Sequence, residues 1–387
     1  MKFHWQSLLV IVTFAAIAAA HSDDQSILYH KSLQTYPGFD LDLNALRWVQ
    51  LEGQDPVLMT ELEKINLKAA GVKFFDITDT PELGKSSAYI TATYPKPNNT
   101  DIVKPILKKL DIENLQTTLK AFSSFRTRSP AYQTGKQSQE WLVKAIKKIA
   151  KKHASKSLKK HISVHEFTHP WTQSSVIARI NGYSNDDDGI IIIGAHQDST
   201  NAWPFLPAPG ADDDGSGSMC ILEAYRALLA ADFRPSRTIE FQWYAAEEAG
   251  LLGSQAIAQA YERRGVNVAG MSHFDMTAWI KNGTREEVGV VTDFVDANLT
   301  EFNKQLVDLY LDIPYVETKC GYACSDHASW TKAGYPTTFS AEGTMENWDR
   351  EFVHTMNDRI DISDEFSFSH MLEFSKLAVA FAVELAA

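Results

Sequence analysis

Apolar and helical stretches alternate through the second half of the chain, and this alternation predicts its fold. Strand-like apolar runs lie at 190–193, 238–245 and 266–274, and helical patterns fill 216–231 and 250–264 between them. Consecutive strands joined through helices require crossover connections. The pattern therefore predicts an α/β fold with a largely parallel mixed β-sheet sandwiched between helices. In such a sheet, functional side chains gather at the carboxyl ends of the strands.

The first 20 residues differ from the rest of the chain. They combine the basic Lys2 with an apolar run from Leu8 to Ala20 that ends in small residues, a pattern typical of a cleaved signal peptide. A membrane anchor is the alternative, but a run of about a dozen residues falls short of the roughly 20 that span a bilayer. We therefore expect residues 1–20 to be a signal peptide, and the protein to be secreted without a membrane attachment.

Residues 21–87 come before the first strong core signals. They are acidic and polar, and only 55–70 show helical patterning. We interpret them as a propeptide, or prosegment, in front of a catalytic domain at 88–387. An N-terminal subdomain that stays attached is the alternative.

A basic segment follows. Eight Lys lie between 144 and 160, interleaved at helical spacing with apolar residues such as Leu142 and Ile146. Such a helix could visit anionic surfaces, but we expect a docked helix with a solvated face.

Composition and charge narrow the possible partners. A content of 44% hydrophobic residues is enough for a substantial core and excludes overall disorder. The formal net charge of −12 argues against nucleic acid as a partner, since phosphate binding needs a positive field. We also expect a monomer.

The sequons and cysteines of the chain become informative if the protein is secreted. Sequons for N-glycosylation begin at Asn98, Asn282 and Asn298. Cys320 and Cys324 lie four apart around Gly321, which permits a tight bend, so we expect a disulfide between them. A zinc site at this pair is the alternative, although two further ligands are missing nearby. Cys220 lies in an apolar helical run, where we expect a buried thiol.

Acidic residues and histidines follow the predicted strands directly. His196 and Asp198 come at the end of the first strand and can face the same side, which suits a metal ligand and a carboxylate that fixes its imidazole. Three successive carboxylates, Asp212 to Asp214, open the next helix and repel one another unless a cation or strong donors compensate.

The acidic triplet also resembles a calcium-binding loop. From Asp212 the spacing of oxygen ligands continues to Glu223 at the twelfth position. The preceding stretch 204–210 holds three Pro and cannot be an entering helix. A capping acidic turn is another alternative.

Three more clusters complete the set. Glu247 and Glu248 follow the second strand, and His273 and Asp275 mark the third, while His354 opens a later cluster. Adjacent carboxylates can divide the work, one binding metal while the other accepts a proton from water. Two His and at least three carboxylates suit zinc, and would also accept cobalt or manganese. Five ligands exceed what a catalytic mononuclear zinc site uses, whereas two bridged ions would use them all.

These clusters resemble those of the secreted zinc leucine aminopeptidases of bacteria and fungi, a co-catalytic metallopeptidase family. The resemblance covers roughly 88–387, implies a zinc exopeptidase-like fold with two Zn²⁺ per chain, and likens the leader to the propeptide of the fungal members. It implies that the metal ligands are His196, Asp213 as the bridge, Asp275, Glu248 and His354. It further implies that Glu247 is the general base and that Asp198 is the carboxylate behind His196. His327 is a tempting ligand that the resemblance places outside the set.

The resemblance also implies an apolar specificity pocket. Its expected walls are Met276, Cys320, Tyr322, Cys324, Phe339, Met345 and Trp348. The segment from Trp348 to Val353 is one residue longer than in the bacterial members, which puts this wall in doubt. Any of these residues could instead be plain core.

The function implied is an extracellular aminopeptidase that acts on peptides with a free amino end and prefers leucine and other apolar first residues. One alternative is a carboxypeptidase of the same fold, which needs a cation for the terminal carboxylate that the clusters do not supply. The others are a glutaminyl cyclase of similar fold and a receptor-like ectodomain that has lost its metals.

Overall fold

A small antiparallel sheet opens the part of the chain that the computed structural model describes, which is residues 41–85, 92–184 and 188–387. Strand β1 (Leu46–Gln50) pairs with β2 (Val57–Thr60) and β3 (Phe75–Asp76), and helix α1 (Glu61–Ala69) lies between β2 and β3. The predicted signal peptide at 1–20 lies outside the described residues.

Helix α1 is shorter than the pattern at 55–70 predicts. The Thr60 side chain accepts the Glu63 N–H while the Glu63 carboxylate accepts the Thr60 N–H, and this capping box starts the helix at Glu61. Residues 57–60 instead pair with β1, where Val57 faces Val49 in the register.

The larger sheet has eight strands in the described residues, in the order β10-β9-β11-β8-β6-β7-β5-β4. The strands are β4 (Ile162–Phe167), β5 (Ser175–Ile180), β6 (Ile190–His196), β7 (Ile239–Tyr244), β8 (Val268–Phe274), β9 (Val288–Val291), β10 (Tyr315–Thr318) and β11 (Thr337–Ala341). Four neighbouring pairs are parallel, including β8, β6 and β7 at the centre. Three pairs towards the edges are antiparallel. The prediction of a largely parallel mixed sheet is confirmed.

Helices cover both faces of this sheet. They are α2 (Thr100–Leu107), α3 (Ile112–Phe122), α4 (Gln133–His153), α5 (Gly217–Ala230), α6 (Leu252–Arg264), α7 (Ala297–Tyr310), α8 (His327–Lys332) and α9 (Phe368–Ala386). Strand β6 is buried along its whole length, as expected of a central parallel strand. Its Ile191 and Ile193 pack with the cluster that includes α5 and α9, while Ile190 and Ile192 pack with α6 and α8.

The basic segment is a docked helix as far as His153, where α4 ends, and Lys156, Lys159 and Lys160 lie beyond it. Leu142, Val143 and Ile146 of α4 are buried in the main core, and all eight Lys from Lys144 to Lys160 are exposed. In the described residues no helix has both the length and the apolar character needed to cross a membrane.

The structure shows the surroundings of the cysteines and of the sequon residues. Cys320 and Cys324 form a disulfide, so their thiols cannot serve as a zinc site. Cys220 is a buried free thiol in α5. The sequon residues Asn98 and Asn282 are exposed, and so is Asn298, although its side-chain amide donates to the Ala92 carbonyl.

Candidate active site

Three adjacent parallel strands bring distant residues to one edge of the sheet. His196 ends β6, Asp275 directly follows β8, and the glutamates Glu247 and Glu248 follow β7 in a short 3-10 turn. Because β6 lies between β7 and β8, these carboxyl ends are neighbours. Asp213 enters from the turn before α5, and His354 from the long connection between β11 and α9.

Asp213 lies between the two histidines. Its Oδ1 is 3.0 Å from His196 Nε2, and its Oδ2 is 3.0 Å from His354 Nε2. Asp275 Oδ1 approaches the same His196 nitrogen at 3.5 Å, and Glu248 Oε2 lies 2.9 Å from the His354 nitrogen. The structure therefore joins the five predicted ligands into two groups that share one carboxylate.

The neighbouring Asp214 could also contribute to the first group, since its carboxylate lies within 4.8 Å of the ligand atoms of His196 and Asp275. However, Asp214 Oδ2 accepts the His196 N–H at 3.0 Å, and Oδ1 accepts the N–H groups of Gly217 and Met276 at 2.9 and 3.3 Å. These bonds occupy both oxygens of Asp214 in holding the loops together. Asp213 is the carboxylate left to face the histidines.

Several atoms in the two groups are buried without a hydrogen-bond partner. They include His196 Nε2, Asp275 Oδ1 and Glu248 Oε1. Buried polar atoms are normally paired, so unpaired nitrogen and oxygen atoms that converge on one point are what a cation site requires. The mixture of imidazole and carboxylate fits zinc.

The pKa values of the side chains in the two groups are shifted because these side chains are buried close to one another. Burial lowers the pKa of His196, but the negative charge of Asp275 and the neighbouring carboxylates of Asp198 and Asp213 raise it by more, so this pKa lies well above the usual range. Burial also works against ionised Glu248, yet His354 and Lys68 lower its pKa to about 2. The protein thus keeps this carboxylate ionised and able to bind a cation.

Asp198 supports both a histidine and a turn. The Asp198 backbone carbonyl accepts a hydrogen bond from His196 Nδ1 at 3.2 Å. The Asp198 side chain lies farther from this ring, with Oδ1 3.6 Å from the same nitrogen, and Oδ1 accepts the Glu247 N–H at 3.1 Å. Its Oδ2 accepts the Glu248 N–H at 3.2 Å. Asp198 therefore orients the imidazole through its backbone carbonyl and fixes the two glutamates through its carboxylate.

Glu247 is partly buried beside the ligands and makes no ion pair with them among the described contacts. Burial, reinforced by the carboxylates of Glu248 and Asp326, holds the pKa of Glu247 well above its usual range, and the His196 charge offsets this only in part. A carboxylate with a raised pKa is a stronger base than an ordinary one, which suits it to accept a proton and return it.

Two supporting residues were not singled out from the sequence. Asp358 accepts the N–H of Asp212 at 2.7 Å with Oδ1 and the N–H of Asp213 at 3.1 Å with Oδ2. Ser325 Oγ donates to Asp275 Oδ2 at 2.6 Å. Asp358 follows His354 by four residues and Ser325 precedes His327 by two, but only the fold shows which partner each one reaches.

His273 and His327 stay outside the ligand set. His273 Nε2 lies 2.7 Å from Ser325 Oγ, and because that hydroxyl donates to Asp275, the imidazole must donate to the hydroxyl. His327 is buried and stacks on Phe339 with ring centroids 4.6 Å apart. Burial lowers the pKa of His327 to about 3, so the ring is neutral.

The calcium alternative does not fit the structure. Glu223 would have to turn towards the acidic triplet, but its carboxylate accepts the Asp111 N–H at 2.8 Å and pairs with Arg226 at 2.6 Å. The oxygen at the twelfth position is therefore engaged elsewhere.

Left-handed backbone conformations cluster around the site. Ala246 before the two glutamates, Leu251 after them, Met276 after Asp275 and His354 itself have φ values of 59°, 60°, 54° and 57°. Non-glycine residues rarely adopt such angles, and each costs roughly 1–3 kcal/mol. The surrounding packing therefore holds the turns that carry the candidate ligands in conformations that are unfavourable for the isolated backbone.

A cavity of about 480 Å³ opens onto Asp213, Glu247, Glu248, Asp275 and His354. Its apolar lining includes Met276, Tyr322, Cys324, Met345, Trp348 and Val353. Of the seven expected wall residues, Cys320 and Phe339 are not among the lining residues. They pack in a small cluster with Trp348 and Cys324, behind the wall. Val353 lies in the stretch just before His354 and was not expected in the wall.

Comparison with known proteins shows which family this chain belongs to. Residues 175–379 match the description "Peptidase family M28". The leucine aminopeptidase 1 of Pyrenophora teres f. teres is 45% identical over 98% of this chain and 96% of its own length. That of Colletotrichum graminicola is 43% identical over 100% of this chain and 95% of its own length.

Solved structures show the same architecture. The LapA aminopeptidase of Legionella pneumophila superposes with a TM-score of 0.77 and 27% identity, over 89% of this chain and 99% of that one. A glutaminyl cyclase of Porphyromonas gingivalis gives a TM-score of 0.58 at 16% identity over 70% of this chain and 98% of that one, a likeness in fold alone. With a match over more than half of its length and fungal relatives along nearly all of it, the chain belongs to peptidase family M28, a family of metalloproteases, and is an aminopeptidase.

Proposed function

We propose that this chain is an extracellular aminopeptidase that uses two zinc ions to remove leucine and other apolar residues from the free amino ends of peptides. The observation that carries the proposal is the position of Asp213, which lies 3.0 Å from His196 on one side and 3.0 Å from His354 on the other. A carboxylate that spans two histidines, each with a further carboxylate, suits a pair of cations and exceeds the needs of one.

The residues that would hold the metals follow from the two groups. His196 and Asp275 would hold one ion, Glu248 and His354 the other, and Asp213 both. When bound, the ions supply a Lewis acid for the scissile carbonyl and make a nearby water more acidic. Both groups are rich in negative charge, which such ions neutralise.

Glu247 performs the proton transfers in this proposal. Its carboxylate takes a proton from the attacking water and delivers it to the leaving amine, which needs a pKa raised above that of an ordinary carboxylate. The two N–H groups held by Asp198 fix the turn that aims Glu247 at the cavity. The base is therefore held in place before substrate arrives.

The cavity supports a preference for apolar first residues. Met276, Tyr322, Met345 and Trp348 supply most of an apolar wall within reach of the ligands, and leucine-sized side chains would lose their hydration there. The name of the fungal relatives agrees with this choice. If lysine or glutamate at the first position were cleaved faster than leucine, this wall would not be the specificity pocket.

The domain organisation is proposed on the same footing. Residues 1–20 would be a signal peptide, 21–87 a propeptide and 88–387 the catalytic domain, with the exposed Asn98, Asn282 and Asn298 available for glycosylation after secretion.

Hydrolysis of leucine p-nitroanilide and of its N-acetylated form tests the proposal. Processed protein should cleave only the free amine, lose this activity with a chelator and recover it with zinc. Cleavage of the acetylated form would exclude an aminopeptidase, and cleavage of neither would favour the cyclase or the metal-free receptor. Peptides blocked at the carboxyl end should still be cleaved, and the opposite result would favour a carboxypeptidase.

A further inference from the structure

The N-terminal segment reaches into the second ligand group. Lys68, in the last turn of α1, places its Nζ 2.7 Å from Glu248 Oε2 and also donates to the Glu248 backbone carbonyl. The same Oε2 lies 2.9 Å from His354 Nε2. The ammonium group therefore sits on a carboxylate oxygen that the proposed function assigns to a metal.

This contact is largely shielded from water. The side chains of Lys68 and Glu248 are only 17% and 6% exposed, and among the described residues Glu248 is the one carboxylate that pairs with Lys68. Exposed ion pairs contribute little, whereas a partly buried pair resists screening by salt. The position of Lys68 is therefore specific rather than a chance surface contact.

The residues after Lys68 follow the cavity. Gly71, Val72, Lys73 and Phe74 line the same space as Glu247, Met276 and Trp348. A substrate that enters this cavity would have to displace them.

The segment is fastened to the turn that carries the two glutamates. The Asp76 N–H donates to the Gly250 carbonyl at 3.1 Å, and Gln255 Nε2 donates to the Asp76 carbonyl at 2.9 Å. Lys64 Nζ reaches the Ala249 carbonyl at 3.3 Å while pairing with Asp76 at 2.8 Å. These bonds hold α1 and β3 against the Glu247–Gln255 region and keep Lys68 in register.

We infer that residues 41–85 are an intramolecular inhibitor, and that the Lys68 ammonium closes the second ligand group to zinc and to the substrate until the segment leaves. The inference rests on the proposed function, since it assigns Glu248 to the metal site. The Lys68 ammonium group brings positive charge to Glu248. A metal ion, or the α-amino group of a peptide, would bring charge of the same sign to this carboxylate. Because the segment is covalently attached, it competes at a high effective concentration and no free ligand matches it.

The test uses the unprocessed chain from residue 21 with three single substitutions. Lys68→Met removes the ammonium, Lys68→Arg keeps a positive charge, and Lys85→Met removes an exposed charge of the same segment that pairs with Glu82 at 2.9 Å and does not line the cavity. Circular dichroism and thermal melting show that each variant is folded. Zinc bound per chain is measured by equilibrium dialysis, and kcat and KM with leucine p-nitroanilide, before and after removal of the segment.

Unprocessed wild type and Lys85→Met should bind the second zinc weakly and hydrolyse slowly, with Lys68→Arg close to them. Unprocessed Lys68→Met should reach half occupancy of the second site at about tenfold lower free zinc and gain about tenfold in kcat/KM. All four should be alike once processed, because the substituted residue is gone. Equal zinc binding or equal activity in unprocessed wild type and Lys68→Met would overturn the inference. Inactivity of every processed form would instead overturn the proposed function.

Discussion

At the residue scale, three consecutive aspartates show how surroundings divide identical side chains among different tasks. Asp213 faces two histidines, while Asp214 accepts three backbone N–H groups. Asp212 accepts the N–H groups of Thr277 and Ala278 and lies against Glu342, where burial raises the pKa of both carboxyls. The sequence identifies the triplet as a candidate site, but the backbone path decides which carboxylate faces the two histidines.

Replacement of the proposed base tests the chemistry separately from metal binding. Glu247→Ala removes the proton acceptor but none of the five proposed ligands, so we expect kcat to fall by about 10²–10⁴ while zinc content stays the same. Activity assays with metal analysis measure both quantities. Glu351→Ala is the control, since Glu351 is an exposed glutamate three residues before His354 and its substitution should change neither quantity. Retained turnover in Glu247→Ala would remove Glu247 from the proposed role.

Asp358 offers a test of how the bridging residue is supported. Asp358→Ala leaves the N–H groups of Asp212 and Asp213 buried without acceptors, so the free energy of unfolding should fall by at least about 2 kcal/mol, and zinc binding should weaken. Asp358→Asn keeps one acceptor, so its free energy of unfolding should lie between those of the wild type and Asp358→Ala. Urea unfolding measures the loss, and Asp361→Ala at an exposed position provides the control. A stable variant with normal zinc binding would show that these bonds do not support the site.

At the element scale, the sequence predicts the parallel centre of the sheet better than its surroundings. The strands and helices from β6 to β8 agree with their apolar periodicity because each is buried along a continuous face. The helical pattern wrongly predicts a helix at residues 57–60. These residues form a strand because they pair with β1 and because the cap at Thr60 starts the helix after them. In the segment from Trp348 to Val353 the apolar residues follow neither helical nor strand spacing, so hydrogen bonds and packing alone determine its conformation. The cavity wall could therefore be predicted only by resemblance.

The start of α6 is a close contact between elements that a single methyl group would disturb. A Cβ on Gly253 would lie 2.1 Å from the Ala245 carbonyl oxygen at the end of β7. Gly253→Ala must push α6 away from the glutamate turn, so we expect a loss of about 1–3 kcal/mol in stability together with lower kcat. Thermal unfolding and activity assays measure these effects. Gly343→Ala is the control, because a Cβ there meets nothing within 4 Å; an equal loss in both variants would contradict the packing argument.

At the scale of the whole molecule, the site exists only when distant parts of the chain meet. His196, Glu248 and Asp275 come from three strand ends, and His354 arrives from a connection near the carboxyl end of the chain. Sequence clusters could predict which residues take part, since each cluster carries its own chemistry. They could not predict that Lys68 would reach Glu248, because an isolated lysine on a polar helix carries no signal of its partner.

Because folding creates the ligand groups, metal binding should stabilise the whole molecule. The carboxylates of Asp213, Asp275 and Glu248 come together around two histidines only in the folded chain, so a cation that they bind favours the folded state. Zinc that binds the folded chain alone contributes about 4 kcal/mol per site when free zinc exceeds the dissociation constant a thousandfold. Chelation of the processed protein should therefore lower its melting temperature, zinc should restore it, and calcium should not. His354→Ala should halve the effect by disabling one group, and an unchanged melting temperature after verified zinc removal would mean that these residues do not form a metal centre.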